Sequence, residues 1–102
     1  MALANTTLTD SATTVFTCSN AGGSAVVAVT FQNDDASARF ATLHACPSAE
    51  AASAENRLFN VSIPVGDSYV FDSKIILANG DDLKVSSDAA SVVGCTVSYL
   101  DL

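Results

Sequence analysis

The sequence has no tryptophan, two prolines, one histidine and four basic residues among its 102 positions. Each shortage removes a class of function. Without clustered cations there is no footprint for phosphate-driven binding to DNA or RNA, and attraction to anionic lipid is disfavoured for the same reason. The expected partners therefore include neither nucleic acid nor membrane. A single histidine, His44, gives little from which to build a zinc site or a base-assisted nucleophile. The missing tryptophan argues against an antibody-type domain, which packs one against its paired cysteines. No stretch approaches the roughly 20 apolar residues of a membrane-spanning helix. The opening residues, Met1-Ala2-Leu3-Ala4-Asn5, carry neither a charged leader nor an apolar run of signal length. The expectation is a chain made and kept in a cytosol, or assembled there into something larger.

Cysteine is also sparse. Cys18, Cys46 and Cys95 are odd in number and far apart, whereas a small secreted scaffold carries a denser, even set. Each sits in a strand-like context, and the reading that follows is three buried free thiols acting as small hydrophobes. A single disulfide between two of them is the other reading, and the sequence leaves it open.

What is present is apolar and acidic. Half the residues (49%) are hydrophobic, much of that fraction alanine and valine, which predicts a thin, sheet-like core. A chain of this length forms one domain, residues 1–102, burying roughly 65% of the surface its unfolded form exposes. It is expected to fold alone or as a small oligomer. Eleven acids face four bases (Arg39, Arg57, Lys74, Lys84), for a formal charge of -7. That acidity serves solubility and self-repulsion between free copies, and it suits docking onto a basic surface.

The dominant pattern is short alternation broken by turn residues. Val27, Val29 and Phe31 alternate with Val26, Ala28, Thr30 and Gln32; Phe59, Val61 and Ile63 with Leu58, Asn60 and Ser62; Val93, Cys95, Val97 and Tyr99 with Gly94, Thr96, Ser98 and Leu100. A period of two predicts strands with one face on a core. Asn20–Gly23, Asn33–Ser37, Pro64–Asp67 and Asn79–Asp82 supply the breaks, since glycine and asparagine accept positive φ and proline cannot donate to a ladder. The segments number about eight, spaced as in an antiparallel all-β sandwich, with jelly-roll order as one form it can take. Residues 1–12 are read as an extended N-terminal arm, and the apolar end Leu100-Asp101-Leu102 as a second arm. Residues 47–56, rich in alanine and glutamate, are either a short helix started by Ser48 or a loop.

Few residues are candidates for chemistry. His44 and Cys46 share one strand face, the spacing a Cys–His pair would need, although same-face neighbours are ordinary in any strand. Asp34, Asp35, Asp67, Asp72, Asp81, Asp82 and Asp88 fall mostly in turns, where a hard cation would find oxygen ligands, but no segment matches the twelve-residue calcium loop. Asn5-Thr-Thr7 and Asn60-Val-Ser62 match the glycan acceptor pattern by chance. Gly22-Gly23 lacks the lysine or helix start of a phosphate loop. Tyr69, Phe71 and Tyr99 are read as core rather than as a stacking platform. No catalytic, cofactor or metal residue is assigned.

The second half reads Asn56-Arg-Leu-Phe-Asn-Val-Ser-Ile-Pro-Val-Gly-Asp67, Ser68-Tyr-Val-Phe-Asp72, Lys74-Ile-Ile-Leu-Ala-Asn-Gly-Asp-Asp-Leu-Lys-Val85 and Gly94-Cys-Thr-Val-Ser-Tyr-Leu100. With Thr13-Thr-Val-Phe16, Ala28-Val-Thr-Phe-Gln-Asn33 and Cys46-Pro47, this resembles small virion structural proteins of tailed bacteriophages, particularly those of marine and cyanobacterial hosts. The shared rhythm is an isoleucine-x-x-glycine-aspartate turn, an aromatic strand, a leucine-x-x-glycine-aspartate turn and a closing threonine-valine-serine-tyrosine strand. Cys18 and Cys46 lie outside that pattern. The resemblance implies a capsid decoration (cement) protein on the virion surface, synthesised in the host cytoplasm. It would contact the major capsid protein or other virion proteins as a homo-oligomer, a trimer or a dimer. It implies no catalytic residues and no cofactor. The alternatives are a neck, tail or fibre component and, from another class, a secreted carbohydrate- or calcium-binding module.

Overall fold

The computed structural model describes residues 2–48 and 50–102. Nine strands and no helix occur among them: β1 (Ala2–Thr7), β2 (Thr13–Thr17), β3 (Ser24–Asn33), β4 (Arg39–Cys46), β5 (Arg57–Ile63), β6 (Ser68–Phe71), β7 (Ile75–Leu77), β8 (Asp82–Ser87) and β9 (Val93–Asp101). Sheet A runs β1-β9-β3-β6, with β7 also on β3, and sheet B runs β2-β8-β4-β5. All pairings are antiparallel. The chain changes sheet at every connection except β4–β5 and β6–β7, so neighbours in sequence close the sandwich around one core. This is the all-β antiparallel sandwich that the alternation predicts.

The core is the inner face of both sheets. Val26, Val29, Phe31, Val93 and Val97 from sheet A meet Phe16, Leu43, Ile63, Leu83 and Val85 from sheet B, with Leu8 completing the cluster. Phe59 sits against Phe31 edge-on at 5.7 Å and against Tyr69 and Phe71 at 5.2 and 5.1 Å, while Phe16 meets Tyr99 at 4.2 Å. The three Phe59 separations are those of favourable aromatic pairs. Tyr69, Phe71 and Tyr99 therefore pack inward, as the alternation predicts.

Three details differ from the sequence-based expectation. The alternation of β3 reverses in its first half: Val26 is fully buried and Val27 is only partly buried. The register slips between Val26 and Ala28 opposite β9, and such a bulge places an extra residue in one strand and exchanges the faces before and after it. The ninth strand is β1. Residues 2–7, expected as part of an arm, pair with the middle of β9 from Ala2↔Tyr99 to Thr7↔Gly94, and Leu8 then enters the core. The C-terminal residues are likewise held. Leu102 donates its amide to Gly23 O at 3.0 Å and receives Asn20 Nδ2 on its own oxygen at 2.9 Å. The segment 47–56 takes the loop alternative, with turns and no helix among its described residues; Ala49 lies outside them.

The turns follow their residues. Gly66 and Gly80 both have positive φ, 71° and 97°, and close Pro64–Asp67 and Ala78–Asp81 with i to i+3 bonds of 3.1 and 3.0 Å. Glycine at the third position is what a turn of this geometry requires.

Candidate functional site

His44 and Cys46 both project from β4 on the side of sheet B away from the core, opposite Lys84 and Asp82 of β8. The structure gives His44 to Asn56 rather than to Cys46. His44 Nδ1 lies 3.0 Å from Asn56 Oδ1, which also accepts the Ser53 amide at 2.9 Å, while Asn56 Nδ2 donates to Ala51 O at 2.9 Å. An amide oxygen can only accept, so Nδ1 carries the proton and holds the imidazole against the loop. The Ala45 amide donates to Asn56 O at 2.9 Å and completes the joint. Asn56 is thus the residue that organises the 47–56 loop. Its position at the end of an alanine-rich stretch is the one signal in the sequence that marks it.

Cys46 is 1% exposed although it faces away from the core, and beside it Lys84 Nζ reaches the loop at Glu50 O, 3.4 Å away. Burial pushes its thiol up, Lys84 partly opposes this, and Asp82 and Glu50 add to it. A raised thiol is a poor source of thiolate. Cys18 and Cys95 are also buried and free, and burial pushes Cys95 up to about 12. Cys18 donates to Ser24 Oγ at 3.3 Å.

Five of the acidic turn residues, Asp35, Asp67, Asp81, Asp82 and Asp88, are engaged as acceptors of backbone or side-chain donors. Asp81 accepts the Ala78 and Ser48 amides, Asp82 the Thr17 hydroxyl, Asp67 the Ser68 amide and Asp88 the Phe40 amide, at 2.7–3.2 Å. Asp35 takes Arg39 Nε at 2.6 Å, and that bond, followed by the Ala36 amide, holds its carboxyl below the usual range. Among the described residues no three of His, Cys, Asp or Glu converge as metal ligands would. Asn5 and Asn60 of the glycan acceptor matches are both exposed, on β1 and β5. Gly22 and Gly23 form the Asn20–Gly23 turn, where Asn20 Nδ2 donates to Gly23 O at 2.8 Å.

What the fold does present is surface of two kinds. The first is the outward face of sheet A. Register places Thr7, Gly94, Gln32 and Ser68 in one row and Asn5, Thr96, Thr30 and Val70 in the next. Beyond these, Leu3 sits beside Ser98 and Ala28, and Leu100 beside Ala25 and Ile76. None of these residues carries a charge. A shallow groove of about 340 Å³ runs over Gly94, which has no side chain to fill it. The outward face of sheet B, by contrast, includes Asp82 and Lys84. A second groove of about 400 Å³ lies between Ala45, Leu58 and the 47–56 loop.

The second kind of surface is strand edge. Among the described residues β1 pairs with β9 alone and β5 with β4 alone. Leu58 to Ile63 of β5 contains no charge and no proline. Natural edge strands normally carry such residues to block pairing with another chain.

No protein-family model matches the chain, and no curated protein matches it. Among solved structures it is similar to one described in the words "Bacillus endospore appendages form a novel family of disulfide-linked pili". The TM-score is 0.57 at 11% sequence identity, over 99% of this chain and 84% of that one. At that identity the likeness is one of fold: an all-β sandwich.

Proposed function

We propose that this chain is a structural subunit that works by contact within a larger, repeated protein assembly, and specifically that it decorates a phage capsid. The observation that carries the general reading is the unprotected β5 edge. From Leu58 to Ser62 the backbone groups of alternate residues point away from β4, and no charged or proline side chain in that stretch repels an added strand. A strand from a neighbouring subunit placed there would extend sheet B across the interface. The strand order β1-β9-β3-β6 over β2-β8-β4-β5 supports reading the sandwich as jelly-roll-like. Such a compact two-layer body gives rigid contact surface.

The capsid version rests on the resemblance of the turn and strand motifs to phage virion proteins, whose decoration members contact the major capsid protein as homo-oligomers. Symmetric assemblies favour symmetric oligomers, so a dimer or trimer is the form expected. A neck, tail or fibre position differs from decoration in copy number. A second reading, a subunit of an extracellular appendage, is supported by the solved neighbour described as a pilus protein.

The test is to count this chain in purified particles against the major capsid protein by quantitative mass spectrometry. One or more copies for every few capsid proteins supports decoration. A ratio lower by an order of magnitude or more moves the chain to the neck or tail. Absence from particles overturns the virion reading, and filaments formed by the purified chain would then establish the appendage reading.

A further inference from the structure

We infer that the outward face of sheet A is a self-association surface, on which a second copy of this chain docks face to face. The inference goes beyond the function proposed above and holds whether or not the chain belongs to a virion.

Composition is the first argument. The chain carries -7 overall, yet none of the residues that register places on this face is charged. The bordering β6–β7 connection holds Asp72 and Lys74, one of each sign. Two copies of a strongly acidic protein repel through most of their surfaces. This face is where they can meet without stacking like charges, and the same patch serves both partners, as a two-fold interface requires.

Apolar exposure is the second. Leu3, Val70, Ile76 and Leu100 are 66%, 53%, 62% and 48% exposed, and all four project from sheet A on its outer side. Ala25, flanked by Leu100 and Ile76, is already 6% exposed. Leu100, Ala25 and Ile76, with Leu3 in the adjoining row, therefore form a raised apolar end of the face, while Val70 stands farther along it beside Thr30. Thr96 and Ser98 lead from it to the polar end, where hydroxyls can exchange hydrogen bonds with a partner.

Area is the third. β3 and β9 at about 30 Å, β1 at about 20 Å and the β6–β7 row at about 24 Å, spaced about 4.8 Å apart, give a face of roughly 500–600 Å² per copy. The pair would bury about 1,000–1,200 Å², which is the lower bound for a specific interface. The expected complex is accordingly a reversible dimer of micromolar strength rather than an obligate one.

Sedimentation velocity of the purified chain from about 10 to 500 µM tests this. The unaltered protein is expected to shift toward a species of twice the chain mass, and to do so more strongly at high salt, which screens the acidic copies from one another. Ser98→Glu, at the middle of the face, and Leu3→Glu, on the edge strand where folding is least affected, should each weaken association tenfold or more. Thr14→Glu adds the same charge to the outward side of sheet B, on β2 opposite Lys84, and should leave association unchanged, with circular dichroism checking that all three fold. A chain that stays monomeric throughout overturns the inference. So does a dimer that survives both sheet A variants, or one that Thr14→Glu dissolves instead.

Discussion

Ser24 donates its hydroxyl to the Asp101 carboxylate at 2.7 Å, and the same oxygen accepts the Cys18 thiol at 3.3 Å. The two residues are register partners at the end of the β3–β9 pair. This short chain of bonds ties the start of β3, the end of β9 and the turn after β2 into one corner. Ser24 is fully buried whereas Asp101 is exposed, so the two ends are not equivalent. Ser24→Ala removes the bond to Asp101 and leaves the Cys18 thiol only its longer contact with Asn20 O at 3.8 Å, and should cost about 1–2 kcal/mol. Asp101→Asn keeps an acceptor in place and should cost less than about 1 kcal/mol. Urea midpoints at unchanged slope measure both; equal losses would mean that the corner is held by backbone alone.

Cys95 gives a pH signature. Its thiol lies between the sheets, and burial raises it from 9.0 to about 12. The unfolded chain therefore ionises at this position near pH 9 while the folded chain keeps the proton. Stability is fully present below pH 9 and declines as pH rises toward 12, by about 1.4 kcal/mol per unit if nothing else changes. Cys95→Ala removes the linkage and substitutes a small cavity, a cost that is independent of pH. The difference in stability between the two proteins should shrink steadily from pH 9 to 11. Parallel curves would show that the folded protein admits the thiolate.

Asn56 fixes the loop that follows Cys46. Its side chain satisfies His44, Ser53 and Ala51 together, so Asn56→Ala breaks three bonds at one position. Local opening made easier by about 1.5–3 kcal/mol corresponds to a ten- to hundredfold rise in the exposed population. Labelling of Cys46 by a thiol reagent, followed on its own peptide, should accelerate by that factor while Cys95 stays protected. Rapid labelling of Cys46 in the unaltered protein would contradict this picture and return Cys46 to the list of reactive thiols.

How much of this was legible in the sequence depends on range. Alternation in β5 and β9 identified the inward residues Ile63, Val93, Cys95 and Val97, because period two is local and one buried face enforces it. Turns at Gly66 and Gly80 were legible for the same reason. The polar ties were not. Asn33 reads as a turn residue, yet it is fully buried and donates from Nδ2 to Ser37 O and Ile63 O at 3.0 Å each. It joins β3 to the end of β5, thirty residues on. Nothing near Asn33 in sequence encodes that distant partner. The uncharged face of sheet A has the same origin: it is assembled from β1, β3, β6, β7 and β9, and only the strand order brings those segments side by side. The Ala2–Thr7 strand reads as an arm because its first half (Ala2, Leu3, Ala4) is apolar on both faces and its second half (Asn5, Thr6, Thr7) polar on both, so an edge strand with little to bury shows no alternation.

The bulge in β3 is the clearest case of a local pattern overridden, and it can be tested directly. Alternation alone places Val27 with Val29 and Phe31, and on that reading Val27→Ala should empty the core while Val26→Ala should be mild. The register slip between Val26 and Ala28 reverses the order: Val26 is fully buried in the core and Val27 is outside it. Removing the buried valine side chain should cost about 2–3 kcal/mol, the transfer contribution plus the cavity left behind. Removing the partly exposed one should cost less than about 1 kcal/mol, mostly lost strand propensity. The two changes are adjacent and chemically identical, so differences in the unfolded chain cancel and the comparison of their urea midpoints isolates which side chain faces inward. The opposite ranking would mean that β3 runs without a bulge. In that register Ala25, Leu100 and Ile76 would no longer share the outward face, and the self-association surface would lose its apolar end.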